Sequence, residues 1–450
     1  MIAISLRTPK CFPYASPSDP AVAALPNLVY VYDPLSFAPL SITEAAQDLC
    51  RLIWVVDLDK PGARTMVRLL RKLGPVVIDA SDGDVTRVAA EAREHHPAGV
   101  LSMHDFDLVW TARLADELNL PFHSVSCATK LTDKHAQRQA LAAAGLAVPA
   151  FTVIPEGADE ATISHAGRQF GYPAVLKPRI GQASRDTIPI SGYPELMATL
   201  GELTKDTAAL PEDYVLEGFV PDATTELGGP GFAGFVSVES VVEHGRVAHA
   251  AISSRTPFLW PFRETGYCTP TALAPDMQER VYSVAGDAAR ALGVEVGCLH
   301  TEIKLTDDGP VVIEVNGRPG GGMSEMLERA SGFSILHTAL QLAVGDPVNL
   351  HAPVPCSRIG YLLYVFPTED VEWIDSVEGL SSLSHLEGVD EIVLVRGPGQ
   401  RIDWREGSEA HVFHVMGTAR DHNELHRLIE ATTTVVQISG HNDADAESPA

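Results

Sequence analysis

Residues 300–322 read HTEIKLTDDGPVVIEVNGRPGGG. Two β-branched, alternating runs, TEIKL and VVIEV, flank TDDGP, the composition of a hairpin with a five-residue loop. If Leu305 faces Val311 across that loop, Ile303 faces Ile313 and Glu302 faces Glu314. One face is then Thr301, Ile303, Leu305, Val311, Ile313 and Val315, apolar enough for a core, and the other carries Glu302, Lys304, Glu314 and Asn316. Opposed carboxylates stand roughly 5 Å apart at Cβ and repel unless something compensates them. A divalent cation does so. Glu314 and Asn316 share a side of their strand, so three oxygen-bearing side chains can converge on a hard ion such as Mg²⁺, and so small a set suits a magnesium–nucleotide site better than zinc. A solvated face on which Lys304 pairs with either glutamate would show the same alternation. The continuation favours the ion, because Arg318 followed by Gly320, Gly321 and Gly322 supplies a guanidinium and approachable backbone N–H groups, as phosphate handling requires.

The remaining composition sets bounds. A chain of 450 residues, 45% hydrophobic, predicts two or three globular domains. A net charge of −26 argues against nucleic acid and anionic membrane surfaces as partners. The six cysteines form no C-x-x-C pair, so neither a zinc site nor a disulfide framework is signalled, and a reduced cytoplasm is expected. No run reaches the roughly 18 apolar residues of a membrane span. Residues 1–40 are weakly patterned, with a strand at 28–32. From residue 51 strands alternate with helices (LIWVVDL, helix 65–73, PVVIDA, helix 84–95, GVLSM, helix 106–118), which implies a parallel doubly wound sheet. No G-x-G-x-x-G follows the first strand, so a dinucleotide site is not supported. His104 and Asp105, at a strand's carboxyl end, can line a cleft or form an ordinary loop pair.

Further on, Thr132 reads as the N-cap of a helix that carries Lys134 and Arg138 on one face and ends at Gly145. The run FGYPAVLKP, residues 170–178, ends a strand in Lys177 and enters a polar loop with Ser184. The lysine and the loop's N–H and hydroxyl groups make a sensible phosphate clamp. Residues 235–242 and 246–254 alternate as strands, with Glu239 on the first in a structural or supporting place. An amphipathic helix covers 276–292, and helices follow at 324–332 and 335–344. From residue 351 the composition turns to β, with one helix at 421–431 and a polar acidic tail.

E-x-N-x-R at residues 314–318 after an acidic strand resembles the metal-binding signature of the ATP-grasp superfamily, and His300-Thr301-Glu302 is similar to its carboxylate–amine ligase branch, which includes bacterial L-amino acid (dipeptide) ligases. D-K-x-x-x-R at 133–138, G-Y-P-x-x-x-K-P at 171–178 and VLEGFV at 215–220 resemble the family's motifs in the same order. The phosphate loop departs from the pattern in having a single glycine between Lys177 and Asp186. The resemblance covers roughly residues 125–440. It implies an α/β (α+β) ATP-grasp fold: a Rossmann-like domain over 1–125, an ATP-grasp module over 126–350 with a lid at about 126–214, a β-rich C-terminal subdomain over 351–440 that completes the substrate pocket, and a disordered tail at 441–450. It implies ATP as substrate and one or two Mg²⁺, with Mn²⁺ a possible substitute, on Glu302, Glu314 and Asn316. Lys134, Lys177 and Ser184 would hold phosphate and Glu217 adenine. Arg318 and Arg255 would stabilise an acyl phosphate, and Glu264 would receive the amine. The expected reaction is ADP-forming ligation of an amino acid to an amino acid or modified amine. Alternatives are a purine-type ligase, a biotin-type carboxylase or a non-catalytic ATP-binding module. Small-molecule partners and a possible homodimer complete the expectation.

Overall fold

The computed structural model describes residues 2–5, 25–205, 210 and 212–442. Four parallel strands form the first sheet, in the order Val76–Asp79, Arg51–Val56, Asn27–Tyr32, Pro97–Ser102. Leu28, Tyr30, Leu52 and Trp54 pack on one face of it, and Val29, Val31, Ile53 and Val55 on the other. Burial on both faces explains why LIWVV is an unbroken apolar run. The first face meets Ile335, Leu336, Ala339 and Leu340 of helix Ile335–Ala343, which fixes this domain against the rest of the chain.

A second sheet of four antiparallel strands runs Phe151–Ile154, Tyr214–Gly218, Ala174–Pro178, Ile188–Ile190. Helices Glu160–Gln169 and Tyr193–Leu203 pack against it around Leu176, Leu196, Leu200 and Leu216. Between these two sheets lie helices Val125–Thr132 and Lys134–Ala143. The expected N-cap moves by one residue: Thr132 ends the earlier helix, and Asp133 caps the later one by accepting from the N–H groups of His135 and Ala136.

The largest sheet has nine strands, in the order Ile2–Ser5, Val389–Leu394, Phe413–Ala419, Ile359–Val365, Gly266–Thr269, Arg246–Arg255, Phe235–Glu243, Val296–Thr306, Gly309–Asn316. Every neighbouring pair is antiparallel. The C-terminal strands therefore continue the sheet that holds the 300–322 hairpin, and residues 2–5 of the weakly patterned N-terminal stretch become its far edge. The strand Gln437–His441 extends into the stretch expected as tail, while residues 443–450 lie outside the described residues. No helix among the described residues is long and apolar enough to cross a membrane.

Candidate active site

The strand Val296–Thr306 is central to the site. On one side Glu302 stands opposite Glu314 and His300 opposite Asn316. On the other side Ser237 faces Glu302 and Glu239 faces His300. Alternation puts all six on one face of the sheet. A bulge after Glu302 then shifts the pairing by one, so Ile303 faces Val312 and Lys304 faces Val311. The expected core row is corrected accordingly: Val312, not Val311 or Ile313, joins Thr301, Ile303, Leu305 and Val315 in full burial. The turn is also tighter than expected, with only Asp307 and Asp308 between the strands. Lys304 turns to Asp222 rather than to either glutamate.

Charge is closely matched around this face. His300 Nδ1 bonds the Glu239 carboxylate, whose other oxygen accepts from the Gly320 N–H at 3.3 Å. Burial alone would lower the imidazole, but Glu239, with help from Glu302, raises it to about 9. Glu302 lies 3.5 Å from His300 Nε2 and 3.9 Å from Arg255 Nη2. Although burial pushes its carboxyl up, His300, Arg255 and Arg318 hold it well below the ordinary carboxylate range. Arg255 is held by Glu264 at 2.8 Å and lies over the Tyr267 ring, 4.0 Å from its centre. Its buried Nη1 has no hydrogen-bond partner. Glu264 also accepts from the Tyr267 hydroxyl at 2.7 Å. Arg318 donates from Nε to Asp105 Oδ2 at 3.0 Å and bonds the same oxygen through Nη2. Asp105 therefore positions the guanidinium that follows the E-x-N motif, and the plain loop-pair reading of this residue is replaced.

The second group of residues lies where the four-stranded antiparallel sheet and helix Lys134–Ala143 meet the hairpin. The helix face shared by Lys134 and Arg138 is buried, with the two residues 7% and 0% exposed. Lys134 Nζ donates to the Gly181 carbonyl at 2.7 Å and pairs with Glu314 at 3.1 Å. Arg138 Nε lies 3.0 Å from Glu217 Oε1, and Lys177 Nζ lies 2.8 Å from Glu217 Oε2. Burial lowers the Lys177 ammonium, with Glu217 opposing and Arg138 and Lys134 assisting. Both oxygens of Glu217 thus face cations, Arg138 at one and Lys177 at the other, while its side chain lines the cavity.

Ser184 lies on a loop bent through left-handed backbone without glycine: Ala183, Ser184 and Asp186 have φ of 55°, 57° and 49°. Such geometry costs roughly 1–2 kcal/mol per residue and needs outside support. Support comes from segment Trp404–Ala410, whose Ser408 N–H donates to the Ala183 carbonyl and whose Arg405 carbonyl accepts from the Asp186 N–H, each at 3.0 Å. Gly407, at φ 63°, passes so close that a Cβ there would sit 2.2 Å from the Ala183 carbonyl oxygen. Ser408 Oγ also accepts from the Glu264 N–H at 3.0 Å, so one short segment touches both the Ser184 loop and the acid beside Arg255.

All ten residues singled out from the sequence (Lys134, Lys177, Ser184, Glu217, Arg255, Glu264, Glu302, Glu314, Asn316 and Arg318) line one cavity of about 1210 Å³. Glu302, Glu314 and Asn316 offer oxygen donors only, and no cysteine lines the cavity among the described residues. This donor set fits a hard divalent cation. A separate cluster, Asp33, His104 and Asp107, carries its own internal cation: Lys60 Nζ lies 2.7 Å from Asp33 and 2.6 Å from Asp107. His104 in turn reaches Gln182 of the phosphate loop, 3.4 Å between their Nε2 atoms. The sequence reading missed Asp105 as the partner of Arg318, Glu239 as the partner of His300, and the whole contribution of residues 404–416. For the first two the available signals were position at a strand's carboxyl end and strand alternation.

Residues 170–326 match the ATP-grasp domain family. An uncharacterized protein of Sinorhizobium fredii is 25% identical over 396 residues, covering 81% of this chain and 78% of that one. Human carnosine synthase 1 is 26% identical over 287 residues, 59% of this chain but 33% of the enzyme, so the chain spans about a third of that relative's length. The crystal structure of an L-amino acid ligase from Bacillus licheniformis shares the fold, with a TM-score of 0.73 at 20% identity over 93% of this chain and 99% of that one. The matched segment contains the Lys177 strand, the Ser184 loop and the Glu302–Glu314 hairpin: residues 170–326 carry the match to the ATP-grasp domain family, and the fold around them is shared with the matched ligase.

Proposed function

We propose that the protein joins the carboxylate of one amino acid to the amine of another amino acid or modified amine, forming ADP and phosphate through an acyl phosphate. The observation that carries this reading is the convergence on one cavity of an oxygen-only ligand set, two buried lysines, the buried Arg255 and the half-buried Arg318. A substrate carboxylate oxygen attacks the γ-phosphorus of ATP, and the bond to the β,γ-bridging oxygen breaks with loss of ADP. The amine nitrogen then attacks the acyl carbon, phosphate departs, and the amine's proton is released.

Glu302, Glu314 and Asn316 would hold Mg²⁺, which supplies neutralisation of phosphate charge during transfer. Lys134 and Lys177 orient the phosphates, and the N–H groups around Ser184 cover them. Arg255, with its unpartnered Nη1, and Arg318, fixed by Asp105, bind the anionic acyl phosphate and the oxyanion that follows. Glu264 keeps Arg255 in place and stands where an incoming ammonium can meet it. No nucleophile on the protein is called for: the four buried cysteines among the described residues, Cys50, Cys127, Cys268 and Cys298, have thiols pushed up by burial. The names of two relatives, a carnosine synthase and an L-amino acid ligase, support the substrate class.

The test is phosphate release from MgATP across a matrix of amino acids offered singly and in pairs, with mass spectrometry of the products. Pairs that release phosphate and yield the sum of their masses less water are expected. ATP binding with no release from any amino acid would overturn the reading in favour of a nucleotide-binding module.

A further inference from the structure

One end of the cavity plays no part in the steps above. It lies over strands Ile359–Val365 and Phe413–Ala419, where Tyr364 faces His414 and Leu362 faces Met416 across the sheet. Leu362, Tyr364 and Met416 cluster with Tyr267 and with Met323, the first residue of helix Met323–Ser331. This wall is apolar and polarisable, suited to an alkyl or planar group.

Beyond the Tyr267 and Tyr364 hydroxyls, the polar groups lining this end include an imidazole pair and two carboxylates that act as acceptors. His411 Nδ1 lies 2.9 Å from the Ser408 carbonyl and must carry the proton. Its Nε2 is then the acceptor for His414 Nδ1, 3.2 Å away, which leaves His414 Nε2 as a lone pair with no partner among the described residues. Burial holds both imidazoles down at about 4, so the pair is neutral at pH 7 and the assignment stands. Two carboxylates join this lone pair. Glu325 has a buried oxygen, Oε2, without any hydrogen-bond partner. Arg329, one turn along the helix, does not reach it, being turned instead to Asp390 at 3.5 Å and Glu391 at 2.7 Å. Glu409 lines the same cavity with no ion pair among the described residues, the nearby Arg396 being engaged by Glu406 and by the carbonyls of Glu409 and His411. By contrast Glu217, Glu264, Glu302 and Glu314 each face a cation of this chain. Arg255, which also lines the cavity, is already held by Glu264.

An apolar wall edged by an unpaired carboxylate, a second free carboxylate and an imidazole lone pair lacks one thing, a positively charged donor. We propose that this end of the cavity is a subsite for a substrate bearing a cationic, hydrogen-bond-donating terminus of the guanidino or amino class, with its stem along Leu362, Tyr364 and Met416 and its head on Glu325, Glu409 and His414. The inference rests on the ligase reading for why an amino acid enters the cavity, but not for its test.

The experiment is calorimetric titration of L-arginine and of L-citrulline, its neutral near-isostere, into the full chain loaded with Mg²⁺ and a non-hydrolysable ATP analogue. Arginine should bind about ten-fold or more tightly than citrulline, and Glu325→Gln and Glu409→Gln should each cut that ratio by several-fold. His414→Phe, which keeps the aromatic wall and removes the acceptor, should weaken arginine more than citrulline. Equal affinity for the two ligands, binding of neither, or a ratio unchanged in Glu325→Gln would overturn the proposal. Phosphate release separates the two ideas. Charge-selective binding without turnover removes the ligase reading and keeps the subsite, whereas turnover indifferent to charge does the reverse.

Discussion

Replacing Arg138 with methionine removes a guanidinium from a fully buried position while keeping a flexible side chain of similar reach. Glu217, 4% exposed, would be left with Lys177 as its one close cation, and the Ile313 carbonyl would lose the donor it takes from Arg138. Across the 3.0 Å separation the gross attraction is roughly 5–6 kcal/mol at an effective dielectric of about 20. Removing one partner of a buried pair costs about 3–5 kcal/mol in practice, because the other charge stays behind uncompensated. With Lys177 still present, the lower end, about 3 kcal/mol, applies, and the orphaned carbonyl adds about 1 kcal/mol. Urea unfolding of wild type, Arg138→Met, Glu217→Gln and the double variant measures this directly. The double variant should be destabilised by about 2 kcal/mol less than the sum of the single ones.

The same cycle carries a pH signature. Although burial raises it, Arg138 and Lys177 hold the Glu217 carboxyl below its ordinary 4.5. A group depressed in the folded state contributes stability that is present above its unfolded value and is lost as pH falls below 4.5 towards the folded value. Arg138→Met lets the folded value rise, so it loses this contribution and its acid unfolding should begin at higher pH than wild type. Additive single effects, or an Arg138→Met variant within about 1 kcal/mol of wild type, would refute the claim that this cluster acts as one unit.

Three further outcomes follow from the site. Glu314→Ala should keep the fold, since the side chain is partly open to the cavity, yet lose at least about a hundred-fold in amino-acid-coupled phosphate release; retained turnover would remove Glu314 from the ion's ligands. Arg318→Met should lower turnover by about 10²–10³, and Asp105→Asn, which leaves the guanidinium but loosens its hold, should lower it less, both read from steady-state kinetics. Gly407→Ala puts a Cβ against the Ala183 carbonyl and should push the phosphate loop off its support, measured as faster limited proteolysis within residues 179–187 and weaker binding of an ATP analogue.

How far these features could be read from the sequence depended on how local their causes are. Glu302 opposite Glu314 was legible in the alternation of the two runs, even though the pairing nearest the turn is Leu305 with Pro310 rather than with Val311. The bulge one residue later was not, and it exchanged Val312 for Val311 and Ile313 in the core. The doubly covered parallel sheet was legible in unbroken apolar runs such as LIWVV, since a strand buried on both faces has no reason to alternate. Arg138 could be read only as sharing a helix face with Lys134, because nothing near it in sequence announces Glu217, 79 residues further on. Asp105 and Arg318 are 213 residues apart, and only the packing of one domain on another makes them a pair. Residues 404–410 gave no sign of their role, because what they do is hold loop backbone in left-handed conformations, through N–H and carbonyl groups that any residue type would supply.

The edge strand Ile2–Ser5 has a consequence for how the chain is made. Its hydrogen-bonding partner, Val389–Leu394, emerges roughly 390 residues later. At about 5–20 residues per second, a ribosome takes roughly 20–80 s to deliver it. The parallel sheet and the lid are complete in sequence long before that, whereas the largest sheet cannot close until synthesis has passed residue 419. The strands that carry Tyr267, Leu362 and Met416 are therefore joined into one floor only near the end of translation, and a nascent chain can form the sheet that carries Lys177 and Glu217 well before that floor exists.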